Sequence, residues 1–150
     1  MADLLIVDND ARIADLVAFF LRRSGHTVRT AANFRAARVE IASARPDLML
    51  SDLDLGDELG LVELPRLAAE GILPTTLVVS GYLDRAAQIE LERVPEVVGV
   101  VAKPFDLDVL LARVNEALRV RVLRGQPVPT SAEGDGDDGW IELGAAEDRA

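Results

Sequence analysis

Short apolar runs alternate with segments of helical periodicity five times between residues 4 and 118, and this alternation constrains the fold more than any other feature. Residues 4–7 form a continuous apolar run that is too short for a helix, as is typical of a strand buried on both faces. Apolar residues then recur at spacings of three and four, which predicts an amphipathic helix that packs on the core through Ile13, Leu16, Val17, Phe20 and Leu21. Such alternation favours right-handed crossovers and a five-stranded parallel sheet between two layers of helices.

The remaining elements follow the same pattern. Asn33 and Asp106 precede helical segments and are residue types that cap helix N-termini. Pro65 lies inside the third helical segment, where it removes a backbone hydrogen bond, so we expect that helix to be kinked or to begin near the proline. Further strands are predicted at 27–30, 47–51, 75–79 and 97–102, and further helices after Asn33, at 59–69, at 85–93 and after Asp106.

Polar side chains stand at the carboxyl ends of four predicted strands. Asp8, Asp52, Ser80 and Lys103 follow or end the first, third, fourth and fifth strands. Because these ends meet at the edge where open α/β sheets bind ligands, we expect the four side chains to lie close together. Lys103 is the only lysine beside fifteen arginines, and its compact ammonium suits a small phosphate site better than a planar guanidinium does.

Together these groups indicate phosphoryl chemistry. Carboxylates that converge on one edge repel each other unless a cation lies among them, and Mg²⁺ commonly binds one or two carboxylates while keeping several waters. A carboxylate beside Mg²⁺ and an ammonium is a good nucleophile toward phosphorus, and Lys103 and Ser80 would stabilise charge on the transferring oxygens. Taken singly, each residue is more simply a helix-capping acid or a turn residue; their joint placement favours a phosphoryl site.

Composition excludes several classes of function. The formal charge of −10 argues against nucleic acid as a direct partner. The absence of cysteine excludes disulfides and thiolate chemistry and suits a reducing cytoplasm, where we expect the protein to be. The N-terminus lacks a basic region followed by a long apolar stretch, and no run of about 18 apolar residues occurs, so we expect neither a signal peptide nor a membrane span.

Residues 125–150 differ in composition from the rest of the chain. They contain seven acids and one arginine beside glycine and proline, which predicts an acidic tail without fixed structure. Residues 140–143, which begin with Trp140, form an apolar island in this tail. The island is open to three interpretations: a short motif that binds a partner, a helix that packs on the body, or a plain linker.

The strand-end motifs resemble the receiver domain of two-component response regulators. The similar segments are Leu-Ile-Val-Asp-Asn-Asp at 5–10, Pro-Asp-Leu-Met-Leu-Ser-Asp at 46–52, Leu-Val-Val-Ser-Gly at 77–81 and Ala-Lys-Pro-Phe at 102–105. The resemblance covers about residues 2–122 in unbroken order and implies a flavodoxin-like (βα)5 sandwich, with a receiver domain at 1–124.

The resemblance also implies roles for individual residues. Asp52 would be the phosphoacceptor, while Asp8, Asn9, Asp52 and the backbone carbonyl of Asp54 would hold Mg²⁺. Ser80 would be the switch hydroxyl, Lys103 would contact the phosphoryl group, and Gly81 would leave the site open. The family commonly has the bond that corresponds to Lys103–Pro104 in cis.

Two positions depart from the family pattern. Asn9 stands where the family usually has a second acid, so we expect weaker metal binding, which Asp10 or Asp54 could offset. Val100 stands where many receivers carry an aromatic switch residue, so signalling must use another route, and Tyr82 is a candidate. It is equally open that Val100 is simply a core residue. Asp54 and Tyr82 also occupy the positions that tune hydrolysis in the family.

Two alternatives remain open at this point. Asp52-Leu53-Asp54 matches the Asp-x-Asp motif of haloacid-dehalogenase-type phosphatases, although it lies on the third strand and leaves Asp8 unexplained. Asn9 and Val100 instead suggest a degenerate receiver that binds proteins without phosphorylation.

The receiver interpretation implies partners. The phosphoryl group would come from a phosphohistidine on a sensor histidine kinase or a histidine phosphotransfer protein. The 26 residues after Arg124 are too few and too polar for a DNA-binding domain, so output would pass through protein contact, phosphorelay or a further domain. We expect no direct nucleic-acid or membrane partner, and homodimer formation is left open.

Overall fold

The computed structural model describes residues 2–56, 58–81 and 83–124, with side chains through Val120. Strands and helices alternate along this part of the chain, as the periodicity predicts. In chain order they are β1 (Asp3–Val7), α1 (Ala11–Arg23), β2 (Thr27–Ala31), α2 (Phe34–Ser43), β3 (Leu48–Asp52), α3 (Gly60–Ala69), β4 (Thr76–Ser80), α4 (Arg85–Glu92), β5 (Val97–Ala102) and α5 (Leu107–Arg124).

All neighbouring strands pair in parallel, in the order β2-β1-β3-β4-β5. Successive residues of a strand point to opposite faces of the sheet, so each face has its own core. Leu4 and Ile6 pack with residues of α1 and α5, while Leu5 and Val7 pack with residues of α2, α3 and α4. The predicted doubly wound three-layer sandwich is confirmed.

The observed start of α2 agrees with the prediction, whereas that of α3 agrees with only one of the two predicted alternatives. Asn33 caps α2, since its side-chain oxygen accepts from the backbone N–H of Ala36 at 2.7 Å. The helix then places Phe34, Ala37 and Ile41 in the core, as predicted. α3 begins at Gly60, five residues before Pro65, so the alternative start near the proline is wrong.

The buried face of α1 differs from the predicted one. Leu16, which we expected in the core, has 55% of its surface exposed. The fully buried residues are Ala14, Val17, Ala18 and Leu21, and Ile13 and Phe20 are partly buried against the same core. Four of the five predicted residues therefore pack on the core, and only Leu16 does not. Ala14 and Ala18 extend the buried face on the side of the helix away from Leu16. Periodicity read from large apolar residues overlooked the alanines and therefore placed the buried stripe too far round the helix.

Some predictions fall outside the described residues. Tyr82 and the segment 125–150, with its island at Trp140, are among them, so the prediction of an acidic tail without fixed structure stays a prediction. Among the helices that the structure describes, none has the length and hydropathy needed to cross a membrane.

Candidate functional site

The four strand-end residues meet at the carboxyl edge of the sheet. Asp8 directly follows β1, Asp52 ends β3, Ser80 ends β4 and Lys103 directly follows β5. Because β1 and β3 are neighbours in the middle of the sheet, the two aspartates stand side by side. Asp8 and Ser80 are both buried, with 8% and 6% of their surfaces exposed.

Lys103 connects the edge strand β5 with the centre of the sheet. Its backbone N–H donates to the carbonyl of Ser80 at 2.9 Å, which fixes the start of the side chain beside β4. The side chain then reaches across β4, and its ammonium Nζ lies 3.0 Å from Oδ2 of Asp52 and 3.4 Å from Oδ2 of Asp8. The Lys103–Pro104 peptide bond is cis, as the resemblance implies.

The ammonium of Lys103 is strongly held in its charged form. Burial by itself lowers the pKa of Lys103, but the hydrogen bond that its ammonium donates to Asp52 and the charges of Asp52 and Asp8 outweigh it. The pKa of Lys103 is therefore raised above its ordinary value, and the side chain is a permanent cation at neutral pH. One positive charge faces two carboxylates, so the cluster retains a net negative charge.

Each aspartate has one oxygen tied to the backbone and the other directed at Lys103. Oδ1 of Asp52 accepts from the N–H groups of Leu53 at 2.7 Å and of Asp54 at 3.3 Å. Oδ1 of Asp8 accepts from the N–H of Asp10 at 2.9 Å. These bonds fix the carboxylate planes, so Oδ2 of Asp52 stands beside the ammonium in a defined orientation.

Asn9 and Asp54, the other two predicted metal-binding residues, both contact the loop between β3 and α3. Asn9 is exposed, and a Cβ placed on Gly56 would lie 3.6 Å from its Nδ2, so its amide rests against the loop between β3 and α3. The side chain of Asp54 is also exposed, and its Oδ1 accepts from the N–H of Gly56 at 3.2 Å. The carboxylate of Asp54 therefore stabilises the turn in its own loop through this hydrogen bond.

Gly81 and Val100 occupy different environments. Gly81 is exposed, and nothing lies within 4 Å of the position where a Cβ would stand, so the space beside this residue is open. Val100 is half-buried and packs against the core under α2, α3 and α4, which agrees with the interpretation of it as a core residue. Tyr82 lies outside the described residues.

An apolar floor lies beneath the charged cluster. A small cavity between the sheet, α1 and α5 reaches Asp8, Asp52 and Lys103 and is otherwise lined by apolar side chains, among them Ile13, Leu50 and Phe105. Such walls exclude water from one side of the cluster and strengthen its charge interactions. Phe105 belongs to the Ala-Lys-Pro-Phe motif at 102–105, but no sequence pattern indicates that its ring lines this cavity.

The loop after Asp52 contains contacts that sequence reasoning missed. Gly60 donates its N–H to the carbonyl of Leu53 at 2.6 Å, and a Cβ on Gly60 would lie 2.9 Å from the Cα of Leu53. The carboxylate of Glu58 accepts from the backbone N–H of Phe34 at 2.7 Å, which ties the same loop to α2. The only sequence signal of the contact between Gly60 and Leu53 was a glycine at the start of a helix. No sequence signal indicated the bond between Phe34 and Glu58.

The donor atoms fit a divalent cation of the Mg²⁺ type, although sparingly. Carboxylate, amide and carbonyl oxygens are the ligands that Mg²⁺ prefers, and the edge supplies them from Asp8, Asn9, Asp52 and Asp54. No group of three or more His, Cys, Asp or Glu side chains suited to a metal occurs in the ranges 2–56, 58–81 and 83–124.

A family model for the response regulator receiver domain matches residues 4–115, a range that contains the whole cluster. The chain belongs to the response regulator receiver family. Receiver domains of this family act in two-component signalling.

Comparisons with known proteins agree with this assignment. Regulatory protein VirG of Agrobacterium tumefaciens is 34% identical over 125 residues, which cover 79% of this chain and 44% of VirG. The structure of NtrX from Brucella abortus in complex with ADP is 30% identical, with a TM-score of 0.71 over 82% of this chain and 27% of NtrX. A CheY-like receiver domain from Methanospirillum hungatei has the same fold, with a TM-score of 0.76 at 24% identity over 83% of this chain and 99% of that one. The chain spans about half the length of the curated relatives it matches.

Proposed function

We propose that this receiver accepts a phosphoryl group on Asp52 from a phosphohistidine and thereby switches a protein-binding face. The observation that carries the proposal is the ammonium of Lys103, which lies 3.0 Å from Asp52 and 3.4 Å from Asp8. A lone lysine that bridges one buried and one partly buried carboxylate at the carboxyl edge of a parallel sheet is an arrangement suited to a tetrahedral anion. The family assignment supports the same reaction.

The proposed reaction is an in-line displacement at phosphorus. An oxygen of the Asp52 carboxylate forms the new O–P bond, and the P–N bond of the phosphohistidine breaks. The imidazole leaves with the electron pair of that bond and takes up a proton. Lys103 then moves its hydrogen bond from Asp52 to a phosphoryl oxygen, and the hydroxyl of Ser80 donates to another.

Exposure and the family pattern favour Asp52 over Asp8 as the acceptor. Both aspartates have Oδ1 bonded to backbone N–H groups and Oδ2 beside Lys103, so their hydrogen bonds alone do not separate them. The side chain of Asp8 is 8% exposed and that of Asp52 is 13% exposed, which leaves Asp52 more accessible to a phosphodonor. The charge of Asp8 helps keep Lys103 protonated, because it raises the pKa of that ammonium after burial has lowered it.

Mg²⁺ would be held by Asp8, the amide oxygen of Asn9, Asp52 and the backbone carbonyl of Asp54. When bound, it would supply positive charge to the transferring phosphoryl oxygens. Asn9 contributes an amide where a carboxylate would add a negative charge, so we expect the site to be active but to bind the metal weakly.

The output of the switch is proposed to be a contact with another protein. The kinase or histidine phosphotransfer protein would dock at the carboxyl edge, and a downstream protein or a second copy of the chain would bind the altered face. Val100 is half-buried against the core and lacks an aromatic ring, so we infer that the face is altered without an aromatic rotamer switch at this position.

Mass spectrometry after incubation with Mg²⁺ and acetyl phosphate tests the proposal. We expect the wild-type chain to gain the mass of one phosphoryl group, the adduct to be lost in mild base, and Asp52→Ala to gain nothing. No labelling of either protein would establish a degenerate receiver that only binds proteins. Continuous turnover of a small phosphomonoester by the wild type, lost in Asp52→Ala, would establish the phosphatase alternative.

A further inference from the structure

The outer face of α1 carries a stripe that the described residues leave uncovered. The α1 stripe consists of Arg12, Leu16, Phe19 and Arg23, which are spaced by four, three and four residues and therefore lie along one line of the helix. Leu16 and Phe19 are 55% and 58% exposed, and the guanidinium of Arg23 lies 5.7 Å from the centre of the Phe19 ring. Two adjoining large apolar side chains flanked by cations form a surface suited to an acidic, apolar peptide.

We propose that the C-terminal segment 125–150 of the same chain binds the α1 stripe. Charge favours this occupant, because α1 contains three arginines and one aspartate, whereas the segment contains seven acids and one arginine. The segment also supplies an apolar group of matching size in the tail island, residues 140–143, which begins with Trp140.

The positions of the helix ends allow the segment to reach the stripe. α1 and α5 both begin at the carboxyl edge of the sheet and pack on the same face, so both run toward the opposite edge. Asn115 of α5 hydrogen-bonds His26, which lies three residues past the end of α1. Fifteen residues separate Arg124 from Trp140, and a chain of that length spans about 20 Å on average when flexible and at most about 50 Å when extended. α1 itself is about 20 Å long, so the whole stripe lies within reach.

The order of residues also matches. Counted from the C-terminal end of α1 toward its N-terminal end, the α1 stripe presents Arg23, then Phe19 and Leu16, then Arg12. A segment that leaves α5 at the far edge meets these in the same order with its acids at 135, 137 and 138, then Trp140 and Ile141, then Glu142. Cation therefore faces acid at both ends of the stripe, and apolar side chains face each other between them. A segment binding in the reverse direction would lose this match.

Trp140 provides a direct test because it is the only tryptophan of the chain. In the full-length protein we expect its fluorescence to be blue-shifted and protected from acrylamide relative to the urea-unfolded chain. Phe19→Ser should move both readouts toward the unfolded values, and the double variant Arg12→Glu with Arg23→Glu should do the same. Val39→Ser is the matched control, since Val39 is 65% exposed on α2 at the other face of the sheet and should leave Trp140 unchanged. Circular dichroism during urea unfolding checks that each variant is folded.

Two conditions separate this proposal from its rivals. Raising the salt to about 0.5 M, where the Debye length is about 4 Å, should increase quenching of Trp140, since charge contributes to binding. The protection should not change with protein concentration. Protection that grows with concentration would assign the stripe to a second copy of the chain and overturn the proposal. Wild-type emission equal to that of the unfolded chain, or protection that survives Phe19→Ser, would also overturn it.

Discussion

Lys103→Met is the substitution that most sharply tests the charge balance of the site. Methionine keeps most of the apolar stem of lysine but removes the ammonium that faces Asp52 and Asp8. The two carboxylates are then left beside each other with no counter-charge. All three side chains are largely buried, with 22% of Lys103, 8% of Asp8 and 13% of Asp52 exposed.

The expected cost follows from this burial. A hydrogen bond to a charged group contributes about 1.5–3 kcal/mol, and the bond to Asp52 at 3.0 Å is the stronger of the two. Breaking a fully buried pair by removing one partner costs about 3–5 kcal/mol, and the partial exposure of Lys103 places this site at the lower end. We therefore expect Lys103→Met to lower the free energy of unfolding by about 3 kcal/mol at pH 7 without Mg²⁺.

Urea unfolding followed by far-UV circular dichroism measures this loss. Arg38→Met is the matched control, because Arg38 makes two bonds to Glu70 at 2.6 and 3.0 Å, but this pair is more exposed, with 32% of Arg38 and 43% of Glu70 open to solvent. If burial rather than distance decides the strength, Arg38→Met should have a far smaller effect. Adding Asp52→Asn to Lys103→Met should recover part of the loss, since one of the two repelling charges is removed. A loss in Lys103→Met no larger than that in Arg38→Met would refute the reasoning.

Three further substitutions test separate parts of the account. Asn9→Asp adds a negative charge to the metal site and should tighten Mg²⁺ binding about tenfold in an NMR titration; micromolar affinity in the wild type would contradict a weak site. Gly60→Ala places a Cβ 2.7 Å from Cδ2 of Leu53 and 2.9 Å from its Cα, so it should lower the free energy of unfolding by about 1–3 kcal/mol. Gly81→Ala is the control and should not lower it, because the space around Gly81 is open. Partial burial lowers the pKa of His26 from its ordinary 6.5, so the free energy of unfolding of the wild type should fall as the pH drops below 6.5. His26→Gln should lack that decrease, and equal pH profiles of the two proteins would contradict this prediction.

The fold and the location of the site could be predicted because both depend on local patterns. Each buried strand is a short apolar run, and the first polar residue after it stands at the carboxyl edge whatever the packing elsewhere. That rule placed Asp8, Ser80 and Lys103 at one edge, and Asp52 one residue past Ser51, where the structure has them. The same rule could not give the distances from Lys103 to the two aspartates, because these depend on the order of the strands and on the path of one long side chain.

The features that escaped prediction depend on packing between elements. Leu16 was expected in the core because large apolar residues outweigh alanines in a periodicity, yet Ala14 and Ala18 set the buried face of α1. The bond from Phe34 to Glu58 joins residues 24 apart in the chain, and no spacing rule predicts it. The need for glycine at position 60 arises from the close approach of Leu53, which depends on how the loop between β3 and α3 folds back on itself.

A crystal structure of the protein with Mg²⁺ and beryllofluoride, a mimic of the phosphoryl group, tests the central claim most directly. The account predicts a tetrahedral group on Asp52, with its fluorines about 3 Å from Nζ of Lys103 and from the hydroxyl of Ser80. Lys103 would then have exchanged its present bond to Asp52 for one to the ligand. Asp52 unmodified at saturating beryllofluoride, with Lys103 still bound to both aspartates, would contradict it.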